Sequence, residues 1–384
     1  MSASFPKPRI AVSLAFITNG IATGTFISRI PDYKHFLHVS TFAFGFSLFC
    51  ASIGVLLGLG PGGRLSARFG SSRVIIPTSF FLAFTVFLIS ITRNYLEFTI
   101  ALFIFGAATS SQDVSMNAHA LTLEHKYDKK YMSVFHGIWS TGTLISSLLG
   151  GLASQLHLKV CFHALIAAFI CALITVIIKD WLLPPESDIH SKEKVKRKRK
   201  PKIFWILGLL AICGQIGEGA TGDWGSILAR ETYHVAPFIS TLPYILFSCT
   251  MVLGRISGDR LRHIFPDRKL VIFGSGIAGL GMIGAMLFGN IASEIIGWFI
   301  AGAGLSILIP IFFVQTGEIA RRDYAEIMAP SEGVAMVSGV AYAGFMAGPP
   351  IIGFFASVIS LRWALLIPGL LALFLSYGSS KVLK

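Results

Sequence analysis

The sequence predicts an all-α integral membrane protein with twelve transmembrane helices in two six-helix pseudo-repeats. Its mean hydropathy is +0.72; 54% of its 384 residues are hydrophobic and only 13% are charged. A soluble protein of this length could not bury so much apolar surface, so lipid must be the solvent. A basic segment, Lys192 to Lys202, contains eight Lys or Arg and divides the chain near its middle.

The two halves contain corresponding motifs. Ala22-Thr23-Gly24-Thr25-Phe26-Ile27-Ser28 lies in the first apolar segment, and Ala220-Thr221-Gly222-Asp223-Trp224-Gly225-Ser226 lies in the first apolar segment after the basic residues. A duplicated membrane chain with polar-flanked glycines at matching places is typical of secondary transporters. We therefore predict an N-terminal bundle at residues 1–182, a basic cytoplasmic linker at 183–202 and a C-terminal bundle at 203–384.

Twelve apolar runs approach the roughly 20 residues that a spanning helix needs. Those of the first half lie at Ile10–Ile30, Phe42–Gly60, Val74–Ile91, Phe98–His119, Met132–Leu156 and Phe162–Trp181. Those of the second half lie at Ile203–Trp224, Thr241–Arg255, Leu270–Leu287, Ile295–Phe313, Val334–Val358 and Trp363–Ser379.

Orientation follows from the distribution of positive charge. If both termini are cytoplasmic, only six of the 32 Lys and Arg residues lie on the outer side, and the other 26 lie on the inner side. The positive-inside rule favours this arrangement. The net charge of +13 is therefore explained by topology and by contact with anionic lipids rather than by binding to nucleic acid. The predicted location is a bacterial cytoplasmic membrane.

Signals for enzymes, cofactors and metals are weak. Gly274-Ser275-Gly276-Ile277-Ala278-Gly279 matches a dinucleotide-binding pattern, with Glu294 twenty residues beyond its first glycine. These glycines lie inside a continuous apolar run, however, where small residues let membrane helices approach closely. The five cysteines lie in or beside apolar runs without metal-ligand spacing. We predict no enzymatic activity, no cofactor and no metal site.

Carboxyl groups inside the apolar runs are candidate functional groups. Asp113, Glu218 and Asp223 fall within or at the end of predicted spans, where an ionised carboxylate costs a few kcal/mol unless it faces a polar cavity. Burial also disfavours the charged form, as a proton carrier requires. Asp113 and Glu218 are the proton-coupling candidates, one in each half. The candidates for a substrate cavity are Asn19, Thr23, Gln112, Asn117, His136, Gln215, Asp223, Trp224 and Tyr342.

Depth separates the two acids of the seventh span. At about 1.5 Å per residue from Ile203, Glu218 lies about 22 Å into the span and Asp223 about 30 Å. Asp223 and Trp224 are therefore predicted at an outer mouth. Glu218 and Asp223 are about 140° apart on a regular helix, so both reach one cavity only if Gly219 and Gly222 loosen the turn.

A family resemblance rests on the segment after the second span. Gly62-Gly63-Arg64-Leu65-Ser66-Ala67-Arg68-Phe69-Gly70-Ser71-Ser72-Arg73 resembles the G-x-L-x-D-R-x-G-x-R loop of the major facilitator superfamily, although Ala67 replaces the acid. The equivalent segment, Gly254-Arg255-Ile256-Ser257-Gly258-Asp259-Arg260-Leu261, keeps the Asp-Arg pair. The resemblance implies the twelve-helix major facilitator fold and gating roles for Gly63, Arg64, Arg68, Gly70, Arg73, Asp259 and Arg260.

The fourth span sharpens the resemblance. Gln112-Asp113-Val114-Ser115-Met116-Asn117 is similar to the acid-x-x-x-Asn pattern of fucose-permease-like symporters, in which the acid takes part in proton coupling. Glu218 to Trp224 and Gly348-Pro349-Pro350-Ile351-Ile352-Gly353 resemble uncharacterised bacterial relatives of that branch. The branch's acid on the first span has no counterpart between Asn19 and Ile30.

The favoured function is therefore transport of a small polar solute, a sugar or related metabolite, across the membrane by alternating access, coupled to protons. Two alternatives remain at this point. One is efflux of amphipathic compounds, which the 32 phenylalanines permit. The other is a membrane receptor or scaffold that does not transport. The expected partners are a small-molecule substrate, protons and membrane lipids, and the chain is expected to be a monomer.

Overall fold

The computed structural model describes residues 7–129, 131–185, 201–324, 326 and 330–383. Every regular element in these ranges is helical, which confirms the predicted all-α class. The chain divides into two compact units, Met1–Val39 with Ser47–Lys192, and Ser40–Phe46 with Glu193–Lys384. Most of the predicted basic linker, residues 186–200, lies outside the described residues.

The described residues of the first unit form seven α-helices. They are α1 (Lys7–Ser28), α2 (Ile30–Leu37), α3 (Thr41–Phe69), α4 (Ser71–Ser90), α5 (Tyr95–Tyr127), α6 (Met132–Gln155) and α7 (Val160–Ile178). Helix α1 packs closely on α6, because Gly24 lies against the backbone carbonyl of Thr143 and leaves no room for a Cβ. Helices α4, α5 and α7 also contact α1, which places its polar residues at the centre of the unit.

The second unit begins with α8 (Lys202–Ala220), a π-helical segment (Thr221–Gly225) and α9 (Ser226–Thr232), which together form one continuous span. It continues with α10 (Pro237–Ile264), α11 (Asp267–Phe288), α12 (Ile291–Leu305), α13 (Leu308–Asp323), α14 (Pro330–Ile359), α15 (Leu361–Ala364) and α16 (Leu366–Val382). The first residues of α3 are counted with this unit. There, a Cβ added at Gly45 would lie 2.8 Å from the carbonyl oxygen of Pro349 and 3.1 Å from the ring of Trp224.

Ten helical segments of the described chain are long and apolar enough to cross a membrane. Helices α5, with 33 residues, and α6, with 24 residues, also have sufficient length. Helix α5 is more polar because it contains Gln112, Asp113 and Asn117. The glycines of the dinucleotide-like pattern pack helices together. A Cβ at Gly274 would lie 2.6 Å from the carbonyl oxygen of Gly304, and one at Gly279 would lie 2.7 Å from that of Gly369.

Several predicted helix ends were too early, and two of them affect the predicted gating segments. Helix α3 continues to Phe69, and α10 continues to Ile264 instead of ending near Arg255. Helix α3 includes Pro61 in its interior and continues to Phe69, before Gly70, and α10 ends just before Pro266; both helices therefore extend through the charged residues. Much of the two segments predicted as gating loops is therefore helical, and Arg255 lies on a helix face rather than in a loop.

Candidate functional site

The interior of the first unit contains a hydrogen-bonded network of neutral side chains. Asn19 Nδ2 donates to Gln112 Oε1 at 2.9 Å, and Gln112 Nε2 donates to Ser79 Oγ at 2.7 Å. Trp139 Nε1 donates to Asn19 Oδ1 at 2.9 Å, which connects α6 to α1. Asn19 and Gln112 are 2% and 0% exposed. Both were predicted to line a cavity; the structure instead buries them, because their amide groups are used to join four helices.

Two other cavity candidates of this unit have different surroundings. Thr23 is half-buried and donates to the backbone carbonyl of Asn19, one turn earlier in α1. His136 is exposed, and its ring packs against the edge of Phe16 with centroids 5.3 Å apart.

The acid of the first unit is paired with an amide. Asn117 Nδ2 donates to both Asp113 Oδ1, at 3.0 Å, and the Asp113 backbone carbonyl, at 2.8 Å. Both residues are half-buried, and their four-residue spacing puts them on one face of α5. Asp113 and Asn117 thus share one face of α5, as predicted. The free Asn117 oxygen and the Asp113 carboxyl can together recognise hydroxyl or amine groups.

The acid of the second unit has a positively charged partner that the sequence did not suggest. Arg255 Nη2 lies 3.4 Å from Glu218 Oε1, and the two side chains are 38% and 26% exposed. Arg255 was assigned to a cytoplasmic loop, since the predicted eighth span ended there. In the structure α10 continues to Ile264, so Arg255 lies within the helix. The sequence feature that could have identified Arg255 is its charge, four positions before Asp259.

Two residues separate Glu218 from the π-helical segment, which begins at Thr221. Such segments add one residue to a turn and occur frequently at functional sites. We predicted that Glu218 and Asp223 reach one cavity only if the helical turn is loosened. The π-helical segment at Thr221–Gly225 is such a loosened turn. Tyr244 on α10 is within electrostatic reach of Glu218, Asp223 and Arg255. The structure thus gathers two acids, one arginine and one phenol around the junction of α8 and α10.

Three further candidates belong to this unit. Trp224 is 0% exposed, and its Nε1 has no hydrogen-bond partner in the described part of the chain. It was predicted at an outer mouth, but the structure buries its ring, which packs beside Gly45. Gln215 is 8% exposed, and its Oε1 also lacks a partner among the described residues. Tyr342 on α14 is 48% exposed.

The predicted gating residues of the first unit lie at the end of α3 and the start of α4. Arg64, Arg68 and Arg73 are exposed, and the Arg68 guanidinium stacks over the Phe69 ring at 5.1 Å. Gly63 packs toward α5, where a Cβ would lie 3.6 Å from Val114. In the second unit, Arg260 is exposed, whereas the side chain of Asp259 lies outside the described part of the structure.

Gly70 ends α3 with φ of +90°, a conformation that favours glycine. A Cβ at this position would collide with Pro185, which follows α7. Next to it, Ser71 Oγ lies 2.7 Å from His119 Nδ1, and the Leu183 backbone N–H donates to His119 Nε2 at 3.1 Å. Since a backbone N–H can only donate, Nε2 must be unprotonated and Nδ1 must donate to Ser71. His119, which the sequence indicated only as the end of a span, thus joins α5 to the start of α4 and to the segment after α7.

These features define a class of protein. Two six-span helical units with carboxyl, amide and arginine groups inside their spans are the architecture of a membrane transporter. The sequence matches the Major Facilitator Superfamily over residues 12–329, and the chain belongs to this family. The twelve-span major facilitator fold predicted from the sequence is confirmed, and the chain is a multi-pass membrane transporter of the general type of this family.

Individual relatives agree with this assignment. The chain is 28% identical to the membrane protein MosC of Rhizobium meliloti over 360 residues, which cover 93% of this chain and 85% of MosC. It is 28% identical to an uncharacterized MFS-type transporter of Yersinia pestis over 358 residues, 93% of this chain and 91% of the relative. A solved bacterial homologue of the human lysosomal transporter Spinster, inward-facing and occupied, has a TM-score of 0.81 at 13% identity, with 99% and 97% coverage. At that identity, the likeness concerns the fold alone.

Proposed function

We propose that this chain transports a small polar solute, a sugar or related metabolite, across the bacterial cytoplasmic membrane in a proton-coupled cycle. The observation that supports this most directly is the ion pair between Glu218 and Arg255 beside the π-helical segment. An arginine stays charged at all physiological pH values, whereas a carboxyl can accept a proton. Protonation of Glu218 therefore removes one half of the pair and leaves Arg255 free to take a different position.

That change gives a physical route from proton binding to conformation. A ligand shifts a two-state equilibrium only by its differential affinity for the two states. Glu218 binds a proton more readily when Arg255 is away, so any state that separates α8 from this part of α10 binds the proton more tightly. Tyr244 lies within electrostatic reach of Glu218, Asp223 and Arg255 and adjusts to the new position of Arg255.

Asp113 has the complementary role in the first unit. It has an amide partner instead of a cation, so protonation changes its hydrogen-bonding pattern without releasing a charged side chain. The Asp113 and Asn117 face offers carboxyl and amide groups to the hydroxyls of a polar solute. In this proposal Asp113 binds solute or a second proton, and Glu218 is the principal coupling group.

The test uses proteoliposomes that contain a pH-sensitive dye. Sugars, polyols, nucleosides and amino sugars are added one class at a time, and solute-induced proton movement is recorded. We expect one class to move protons in wild-type vesicles. Glu218→Gln should then lose accumulation driven by a pH gradient but keep exchange of labelled solute without a gradient. An exposed glutamate, Glu318, provides the matched control as Glu318→Gln.

Other results would decide against the proposal. Proton movement with lipophilic cations alone would favour efflux of amphipathic compounds. Binding of a solute without movement in either direction would favour a receptor or scaffold. Equal gradient-driven accumulation by wild type and Glu218→Gln would remove the assignment of this carboxyl.

The orientation is part of the proposal and has its own test. The excess of Lys and Arg on one side supports cytoplasmic termini and a cytoplasmic basic segment. Reporter fusions at Lys200 and Lys384, both outside the described residues, should give cytoplasmic signals. An external signal at either position would contradict the proposed orientation. A single species at the mass of one chain in detergent would agree with the expected monomer.

A further inference from the structure

A second carboxyl in the C-terminal unit is completely buried. Glu294 lies in the first turn of α12 and is 0% exposed. Its Oε1 accepts one hydrogen bond, from Trp298 Nε1 at 3.3 Å, one turn later in the same helix. Its Oε2 has no hydrogen-bond partner among the described residues. An isolated ionised carboxylate in such surroundings is so costly that the group takes up a proton instead.

The elements packed against α12 supply no cation to this carboxyl. Between Leu270 and Phe288, α11 has no ionisable residue, and Glu294 is the sole one in α12. The part of α10 before Gly254 contributes Tyr244 and Cys249, both neutral. Arg362 lies at this end of the unit, but its Nε and Nη2 donate to the Met286 and Leu287 carbonyls at the end of α11.

Tyr233, just after α9, is within electrostatic reach of Glu294 and Arg362. Burial raises the pKa of its hydroxyl, and Arg362 acts in the opposite direction. Tyr233 is therefore a neutral donor at physiological pH. Its hydroxyl has no hydrogen-bond partner in the described ranges.

The π-helical segment borders the same carboxyl. A Cβ added at Gly225 would lie 3.8 Å from Glu294 Oε1 and 3.7 Å from Trp298 Nε1. The residues on either side of Gly225 each have a buried donor without a partner in the described chain: Trp224 Nε1 and Ser226 Oγ. This part of the unit thus contains three donors without partners in the described chain, on Trp224, Ser226 and Tyr233, and one carboxyl oxygen, Glu294 Oε2, that also lacks a partner there.

We propose that Glu294 is a proton-binding site of the C-terminal unit, protonated in this structure and ionised when the π-helical segment turns its unused donors toward the carboxylate. The ionised form would gain hydrogen bonds from hydroxyl and indole groups, which stabilise a carboxylate. The proton leaves from Oε2 to water. The two arrangements of the π-helical segment thereby differ in proton affinity, so the proton favours one of them.

This inference goes beyond the role proposed for Glu218. It adds a carboxyl on a different helix, α12, and it connects that carboxyl to the segment that contains Asp223. It also needs no transported solute for its test. Failure of the transport proposal and failure of this one are therefore distinguishable.

The test is infrared difference spectroscopy of the full chain in lipid nanodiscs during a pH titration. A protonated carboxyl in an apolar site has a carbonyl stretching band separate from that of carboxylates. We expect wild type at neutral pH to show this band and Glu294→Gln to lose it. The matched control is Glu231→Gln, an exposed glutamate at the end of α9, which should keep the band. An unchanged band in Glu294→Gln would overturn the proposal.

Two further variants keep the test decisive if Glu294→Gln does not fold. Trp298→Phe removes the donor to Oε1 and should move the band to higher frequency. Ser226→Ala removes one donor available to the ionised form, so the band should persist to higher pH than in wild type. If Trp298→Phe leaves the frequency unchanged, the band does not come from Glu294. If Ser226→Ala leaves the titration unchanged, the π-helical segment does not serve the carboxylate.

Discussion

The hydrogen-bonded network around α1 in the first unit and the polar groups around the π-helical segment in the second unit differ in charge and in how completely their hydrogen bonds are formed. In the first unit, Asn19, Gln112, Ser79 and Trp139 join four helices through neutral groups that nearly all have partners. In the second unit, Glu218 pairs with Arg255, and several buried donors on and beside the π-helical segment lack partners within the described residues.

This difference indicates how each unit responds to a change of state. A fully paired network holds one arrangement, because any movement leaves buried polar groups without partners. Unused donors beside a π-helical segment permit a second arrangement at little cost in lost hydrogen bonds. The first unit is thus expected to move as a rigid body, and rearrangement inside a unit is expected in the second.

The largest effect should follow disruption of the paired network. Gln112→Leu removes the acceptor of Asn19 and the donor to Ser79, which are both buried. We expect a loss of about 2 kcal/mol, seen as a fall of about 5 °C in the apparent melting temperature in detergent. The control is Gln155→Leu, since Gln155 is exposed at the end of α6. Equal melting of both variants would show that the network does not stabilise the unit.

A smaller loss is expected at the other junction in the first unit. His119→Ala removes the bonds to Ser71 and to the Leu183 backbone and should cost about 1.5 kcal/mol. The bond from Leu183 requires an unprotonated Nε2, so the difference from wild type should shrink as the pH falls. His125→Ala, at an exposed position of the same helix, is the control. A difference that grows in acid would contradict the assigned hydrogen-bonding pattern.

The sequence predicted the fold class, the family and the place of most spans, because twenty-residue apolar runs and their flanking charges are local features. It also placed Asp113 and Asn117 correctly on one face, since that depends only on helical spacing. It missed Arg255 because the polar end of α10 looks like a loop. It missed Glu294 and misplaced Trp224 because burial of single polar residues depends on which helices pack together, and that is not a local property.

The ion pair in the second unit should give a modest coupling energy between its two side chains. Arg255 and Glu218 are each partly exposed, so solvent screening limits their interaction to about 1 kcal/mol. A double-mutant cycle with Arg255→Gln, Glu218→Gln and both together measures this term from melting temperatures. We expect the double variant to be more stable than the two single losses predict by addition. Simple additivity would mean that the pair is not formed in the membrane.

The smallest effect on stability should occur at Gly225. A Cβ there would lie 3.7 Å from Pro243 and 3.8 Å from Glu294 Oε1, which are ordinary contact distances. Gly225→Ala should therefore change stability by less than about 0.5 kcal/mol. Gly24→Ala in the first unit is the matched comparison, since its Cβ would collide with the Thr143 carbonyl; such overpacking costs about 1–3 kcal/mol.

The two alanine variants also test whether each unit changes its internal arrangement during transport. If the π-helical segment changes its arrangement during transport, an added methyl group at Gly225 should alter the rate of solute exchange while leaving the melting temperature unchanged. Gly24→Ala should lower both in proportion, because it separates α1 from α6 in every state. Unchanged exchange in Gly225→Ala would place the rearrangement elsewhere, and a large loss of stability in that variant would mean that the segment is as closely packed as the first unit.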